Sequence, residues 1–141
     1  METTTERTIL IIDDDQGEIL LTKRVLSKIA PEIRMETALS GEAALALLKN
    51  DNPLPALIFL DLKMHGMSGI DILRSIRADA RLKQLPVVIL TSSLLESDRQ
   101  ESFAAGADDY LHKDFNIAHF SRDIGPLLQR NLKKVSLHNA K

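Results

Sequence analysis

Three short apolar runs, Ile9 to Ile12, Leu57 to Leu60 and Val87 to Leu90, constrain this chain more than any other feature. None alternates polar with apolar residues, so none suits a strand with one face in water. Continuous runs of this length between turn residues read as parallel strands covered on both faces. Weaker strands are read at Ile33 to Ala38 and Asp109 to His112. Helical patterns fill the gaps. Asp15 and Glu18 have the spacing of a capping box, ahead of a helix with Ile19, Leu20, Val25, Leu26 and Ile29 inward. Ser40 is placed to cap a helix over 42–49, and Ser68 one that buries Ile72, Leu73 and Ile76. Residues 95–105 read as a polar helix with few apolar positions beyond Phe103 and the alanines. A last helix, about 116–134, carries Ile117, Phe120, Ile124, Leu127 and Leu128 at helical spacing, with a kink expected at Gly125-Pro126.

Strand and helix thus alternate five times with short connections. That pattern predicts an α/β fold, a doubly wound five-stranded parallel sheet with helices on both faces. In such sheets ligands sit beyond the carboxyl ends of the strands, where the strand order reverses. The strong strands end there in polar residues: Asp13 and Asp14 after the first, Asp61 after the second, Thr91 after the third. Lys113 follows the weak fifth strand directly. Converging carboxylates either raise one another's pKa or share a cation. Mg²⁺ takes one or two carboxylates together with phosphate oxygens and waters. A lysine and a hydroxyl on the same rim supply the donors that an added phosphoryl group needs.

Composition narrows the partners. With 141 residues the chain suits one domain, read as 7–134, between a disordered tail at 1–6 and a C-terminal tail at 135–141. A net charge of −2 provides no global attraction to nucleic acid or to an anionic membrane. There is no cysteine, which excludes disulfides and thiolate metal sites. No apolar run approaches the ~20 residues that span a bilayer, and the polar, acidic start is unlike a signal peptide. A cytoplasmic protein is expected.

The strand-end residues together resemble the receiver domain of two-component response regulators, over roughly residues 7–134. Asp13 and Asp14 resemble that family's metal-binding acids. Asp61, in Leu60-Asp61-Leu62-Lys63-Met64-His65-Gly66-Met67-Ser68-Gly69, resembles its phosphoacceptor and following loop. Thr91, with the small Ser92 after it, resembles the switch hydroxyl, Lys113 the site lysine, and Tyr110 the aromatic switch residue. The separations, 47 residues from Asp14 to Asp61, 30 to Thr91 and 22 to Lys113, are similar to the family's. The resemblance implies the flavodoxin-like strand order 2-1-3-4-5. It also implies Mg²⁺ held by Asp13, Asp14, Asp61 and the backbone carbonyl of Lys63, and a phosphohistidine donor on a histidine kinase or phosphotransfer protein. Output is expected from a stand-alone receiver through protein contacts of residues 95–134, with a homodimer through the same face as one form. The only chemistry implied is gain and loss of the protein's own phosphoryl group.

Two positions depart from the family. His65 stands where a proline is usual. Asp114 follows Lys113 where a proline usually forms a cis peptide. A cis bond without proline costs ~2.5–4 kcal/mol, so this chain either bears that strain or holds the lysine on a trans loop.

Plainer readings stand beside the sharper ones. Asp15 is read as a helix cap, and Tyr110 equally as a half-buried strand residue. His65, His112, His119 and His138 show no metal-ligand spacing. Arg130, Lys133 and Lys134 suit a helix C-terminus, with a basic docking patch as the alternative. A haloacid-dehalogenase-like phosphatase also combines an aspartyl nucleophile, hydroxyl, lysine and Mg²⁺. It needs an acid two residues after the nucleophile, where this chain has Lys63. An adaptor of receiver fold with vestigial phosphorylation is kept in view by Asp114. Finally, Lys63 and Ser93, each two residues past a site residue, are expected to edge the opening through which water reaches the phosphorus. An ammonium offers only donors and a serine is short, so both orient water poorly and slow loss of the phosphoryl group is expected, with a Lys63 side chain pointing into solvent as the equal alternative.

Overall fold

A computed structural model describes residues 7–50 and 53–139 of the chain, with side chains through residue 132. The expected tail at 1–6 lies outside the described residues. The elements alternate strictly: β1 (Thr8–Ile12), α1 (Gln16–Ile29), β2 (Arg34–Ala38), α2 (Gly41–Leu48), β3 (Leu57–Leu60), α3 (Gly69–Ala78), β4 (Val87–Thr91), α4 (Glu96–Ala104), β5 (Asp109–His112) and α5 (Ile117–Asn139). The strands are all parallel and lie in the order β2-β1-β3-β4-β5. Order reverses between β1 and β3, which places the switch point at the ends carrying Asp13 and Asp61.

The continuous apolar runs serve two cores at once. Ile9, Ile11, Leu57, Phe59, Val88 and Leu90 face one side, against Val25 and Leu26 of α1 and Phe120 and Ile124 of α5. Leu10, Ile12, Ile58, Leu60, Val87 and Ile89 face the other, against Ala44 and Leu48 of α2 and Ile72, Leu73 and Ile76 of α3. Successive strand side chains point to opposite faces, so only an all-apolar run fills both layers.

The caps form as their residue types predict. Asp15, Ser40 and Ser68 accept from the backbone amides of Glu18, Ala43 and Asp71. One helix reading needs correction. In α1 the buried stripe is Ile19, Thr22, Val25 and Leu26, whereas Leu20 and Ile29 face solvent. Leu20 follows Ile19 by about 100° around the helix and so leaves the stripe. Helix α4 is polar, as read: its buried residue is Ser102, while Phe103 and Ala104 are exposed. Helix α5 continues through Pro126 to Asn139, so residues 135–139, read as part of a tail, are helical in backbone.

Candidate functional site

Sheet hydrogen bonds run one residue beyond the strands and fix the backbone of the site. The amide of Asp61 donates to the Ile12 carbonyl at 2.9 Å, that of Asp13 to Ala38 at 3.1 Å, and that of Lys113 to Thr91 at 2.7 Å. Asp13, Asp61, Thr91 and Lys113 are all buried. The expected residues are thus brought to one sheet edge.

Lys113 Nζ donates to Asp13 Oδ2 at 2.7 Å and lies 3.7 Å from Asp61 Oδ2. It also donates to the carboxylate of Glu18, a residue that sequence reasoning assigned only to a capping box. The box is half made. Asp15 caps the Glu18 amide, but the Asp15 amide donates to Asp13 Oδ1 at 2.9 Å, which releases the Glu18 side chain to the lysine. Carboxylate oxygens of Asp13, Glu18 and Asp61 lie within 4.8 Å of one another. Three carboxylates around one ammonium leave the cluster net negative. Burial pushes the Asp61 pKa up to about 6, and neighbouring Asp13 and Glu18 add to this against the pull of Lys113. Burial works against the charge of Lys113, yet its bonds to Asp13 and Glu18 hold its pKa above the usual value.

Asp14 is placed differently. Its Oδ2 accepts from the His65 amide at 2.9 Å and pairs with His65 Nδ1 at 2.8 Å. Those contacts, the backbone one first, lower its pKa. Its carboxylate therefore stands apart from the other acids, and the partner is the residue that replaces the family's proline. Two glycines shape the same loop. Gly66 has φ +76°, the left-handed region that glycine favours, and a Cβ on Gly69 would collide with the Asp61 carbonyl and lie 2.7 Å from Leu62 Cα. Helix α3 can approach Asp61 this closely only without a side chain there.

Among the described residues every peptide bond is trans, so Lys113 is held on a trans loop. Asp114 does the work of restraint there. Its Oδ1 accepts from the Asn116 amide at 2.9 Å, and Asn116 in turn accepts from the His119 amide at 3.1 Å, opening α5.

On the opposite rim, Thr91 Oγ1 accepts from the Ser93 amide at 3.2 Å. The Lys63 amide donates to Asp61 Oδ1 at 3.4 Å, while its ammonium lies 3.2 Å from Asp98 Oδ2. Ser93 Oγ donates to that same Asp98 oxygen at 2.5 Å. Tyr110 is half-buried, tilted 6.4 Å from Phe103, and its hydroxyl is buried without a hydrogen-bond partner. Burial raises its pKa, as does the nearby Asp98 charge. Arg130 pairs with Asp109 at 2.8 Å, which engages it within the fold. Glu18 and Asp98 are the participants that no local signal announced.

Residues 9–124 match the family described as response regulator receiver domain. The phosphate regulon transcriptional regulatory protein PhoB of Rhizobium meliloti is 31% identical over 127 residues, 90% of this chain and 54% of that relative. The chain thus spans about half the length of that relative. Among solved structures, the phosphorylated cyanobacterial phytochrome response regulator RcpA is similar at a TM-score of 0.80 and 26% identity, over 87% of this chain and 91% of that one. The Mn(2+)-bound form of response regulator Rcp1 is similar at 0.76 and 28%, over 86% and 91%. No helix of the described residues is long and apolar enough to cross a membrane.

Proposed function

This chain belongs to the response regulator receiver domain family, and on that premise we propose that Asp61 accepts a phosphoryl group from a phosphohistidine. The donor is a histidine kinase or a histidine phosphotransfer protein. A carboxylate oxygen of Asp61 forms the new bond to phosphorus as the bond from phosphorus to the imidazole nitrogen breaks, and the electron pair leaves with the imidazole. The observation that carries this reading is the buried Asp61 carboxylate, beside Asp13 and 3.7 Å from the Lys113 ammonium. The nearness of the Lys113 ammonium to Asp61 supports its meeting an oxygen of the transferred group, and Thr91, buried on the adjoining strand, offers a hydroxyl donor.

The donor set fits Mg²⁺: hard carboxylate oxygens, crowded together and not balanced by one ammonium. Asp13 and Asp61, with the backbone carbonyl of Lys63, are the residues that would hold it, Glu18 is a neighbouring acid of the same cluster, and Asp14 would join them on leaving His65. When bound, Mg²⁺ offsets charge on the transferred oxygens. Signalling then passes to a protein partner through the surface of residues 95–134. Thr91 turning toward the phosphoryl group leaves space for the Tyr110 ring.

Intact-mass measurement after incubation with Mg²⁺ and acetyl phosphate tests this. One phosphoryl group gained by the wild type and absent in Asp61→Asn is the expected result. No adduct on the wild type would overturn the reading and leave an adaptor whose phosphorylation is vestigial.

A further inference from the structure

Helix α4 is held in an unusual way for an element beside the site. Its buried residue is Ser102, whose hydroxyl bonds the Asp98 carbonyl at 2.8 Å. Its N-cap, Leu95, makes no side-chain cap, and the Leu95 amide is satisfied by Ser93 Oγ at 3.2 Å. Apolar burial therefore contributes little to fixing the helix start. Polar contacts take its place, and they converge on one atom: Asp98 Oδ2 meets both Lys63 Nζ and Ser93 Oγ.

We infer that Asp98 is a positioning residue, whose carboxylate clasps Lys63 and Ser93 and so ties the first turn of α4 to the loop after Asp61. The inference deepens the proposed function and rests on it for what opens the clasp. A continuous chain runs from the Asp61 carboxylate through the Lys63 amide, the Lys63 ammonium, Asp98 and Ser93 to Thr91 Oγ1. Both ends of that chain are groups that a phosphoryl group would engage. Such a group carries about −1.5 to −2 charge and three acceptor oxygens. Lys63 is 59% exposed, so its pair with Asp98 is weak and long-armed. A weak pair is what a competing anion two residues away can break. When Lys63 turns to the phosphoryl oxygens, Asp98 loses its cation and the start of α4 loses its tether. The same turn lays the ammonium across the path of attacking water, which gives the expected slow phosphoryl loss a physical basis. Asp98 had no apparent part in the sequence; its separation of 35 positions from Lys63 hides the contact.

Hydrogen exchange on the full chain tests the clasp without phosphorylation. Asp98→Asn keeps an oxygen for Ser93 but removes the charge that Lys63 needs. In Asp98→Asn and in Lys63→Gln, residues 96–104 should exchange about threefold faster while α1 is unchanged. The double variant should add nothing further. Unchanged exchange in α4, or additive effects, would overturn the clasp. Acetyl phosphate with Mg²⁺ then tests its opening: α4 exchange should rise in the wild type and not rise again in Asp98→Asn. An equal rise in both would overturn the relay. Absence of any wild-type adduct by mass would overturn the proposed function and the relay together, while the clasp stands or falls on the unphosphorylated measurement.

Discussion

Helices α1 and α4 flank the same site and are secured by opposite means. Helix α1 buries Ile19, Thr22, Val25 and Leu26 and packs beside α5, and its Glu18 reaches a buried lysine. Helix α4 buries a serine and relies on a carboxylate shared between two polar partners. The difference teaches where this molecule can move. An element anchored by apolar burial yields only when the fold yields, whereas one anchored by an exposed ion pair yields to a change of charge. On the proposed function, the acid cluster and Lys113 belong to the fixed side, and Thr91, Ser93, Asp98 and Tyr110 to the movable one.

The largest expected effect strikes the fixed side. Lys113→Met removes the ammonium and leaves Asp13, Glu18 and Asp61 facing one another, at a cost of about 4 kcal/mol in metal-free urea unfolding. Mg²⁺ should recover part of that loss, since a ligand bound by the native state alone stabilises it. A cost below about 1 kcal/mol would mean that the cluster is solvated and not locked.

Next comes a direct contrast of the helices. Leu26→Ala in α1 should cost about 3 kcal/mol, because it opens a cavity in a closed core. Phe103→Ala in α4, where the ring is 38% exposed, should cost well under half as much. Equal losses in urea midpoint would erase the distinction between the two helices.

Proton linkage sharpens it further. Asp61 titrates at about 6 in the folded protein against an ordinary 3.8, so the folded state holds a proton that the unfolded chain releases. Its contribution to stability is whole below the unfolded value and is lost as pH rises through about 6. Metal-free stability should therefore fall across that window, on the order of 3 kcal/mol. Saturating Mg²⁺ should remove the step, because the bound carboxylate stays ionised. A flat metal-free profile would place Asp61 in contact with water.

The smallest effect belongs to the movable side. Tyr110→Phe deletes a buried hydroxyl that has no partner and should raise stability by about 0.5–1 kcal/mol in the unphosphorylated protein. A loss of stability would show that the hydroxyl is bonded in solution.

Much of this was readable in advance for a simple reason. Runs such as Ile9 to Ile12 and caps such as Ser40 and Ser68 are local: periodicity and backbone satisfaction operate within a few residues. Parallel strands also bring their carboxyl ends to one edge whatever else the chain does, so Asp13, Asp61, Thr91 and Lys113 had to meet there. The tertiary structure alone decided how those groups divide their partners. Glu18 looked like half of a capping box and instead bonds a lysine 95 residues away. Asp14 looked like the twin of Asp13 and instead faces His65, 51 residues on. Leu20 looked apolar enough for the core and faces water, while Thr22 is buried. A side chain's partner is set by which atoms lie within about 3 Å once every element has packed, and long separations in sequence carry no trace of that distance.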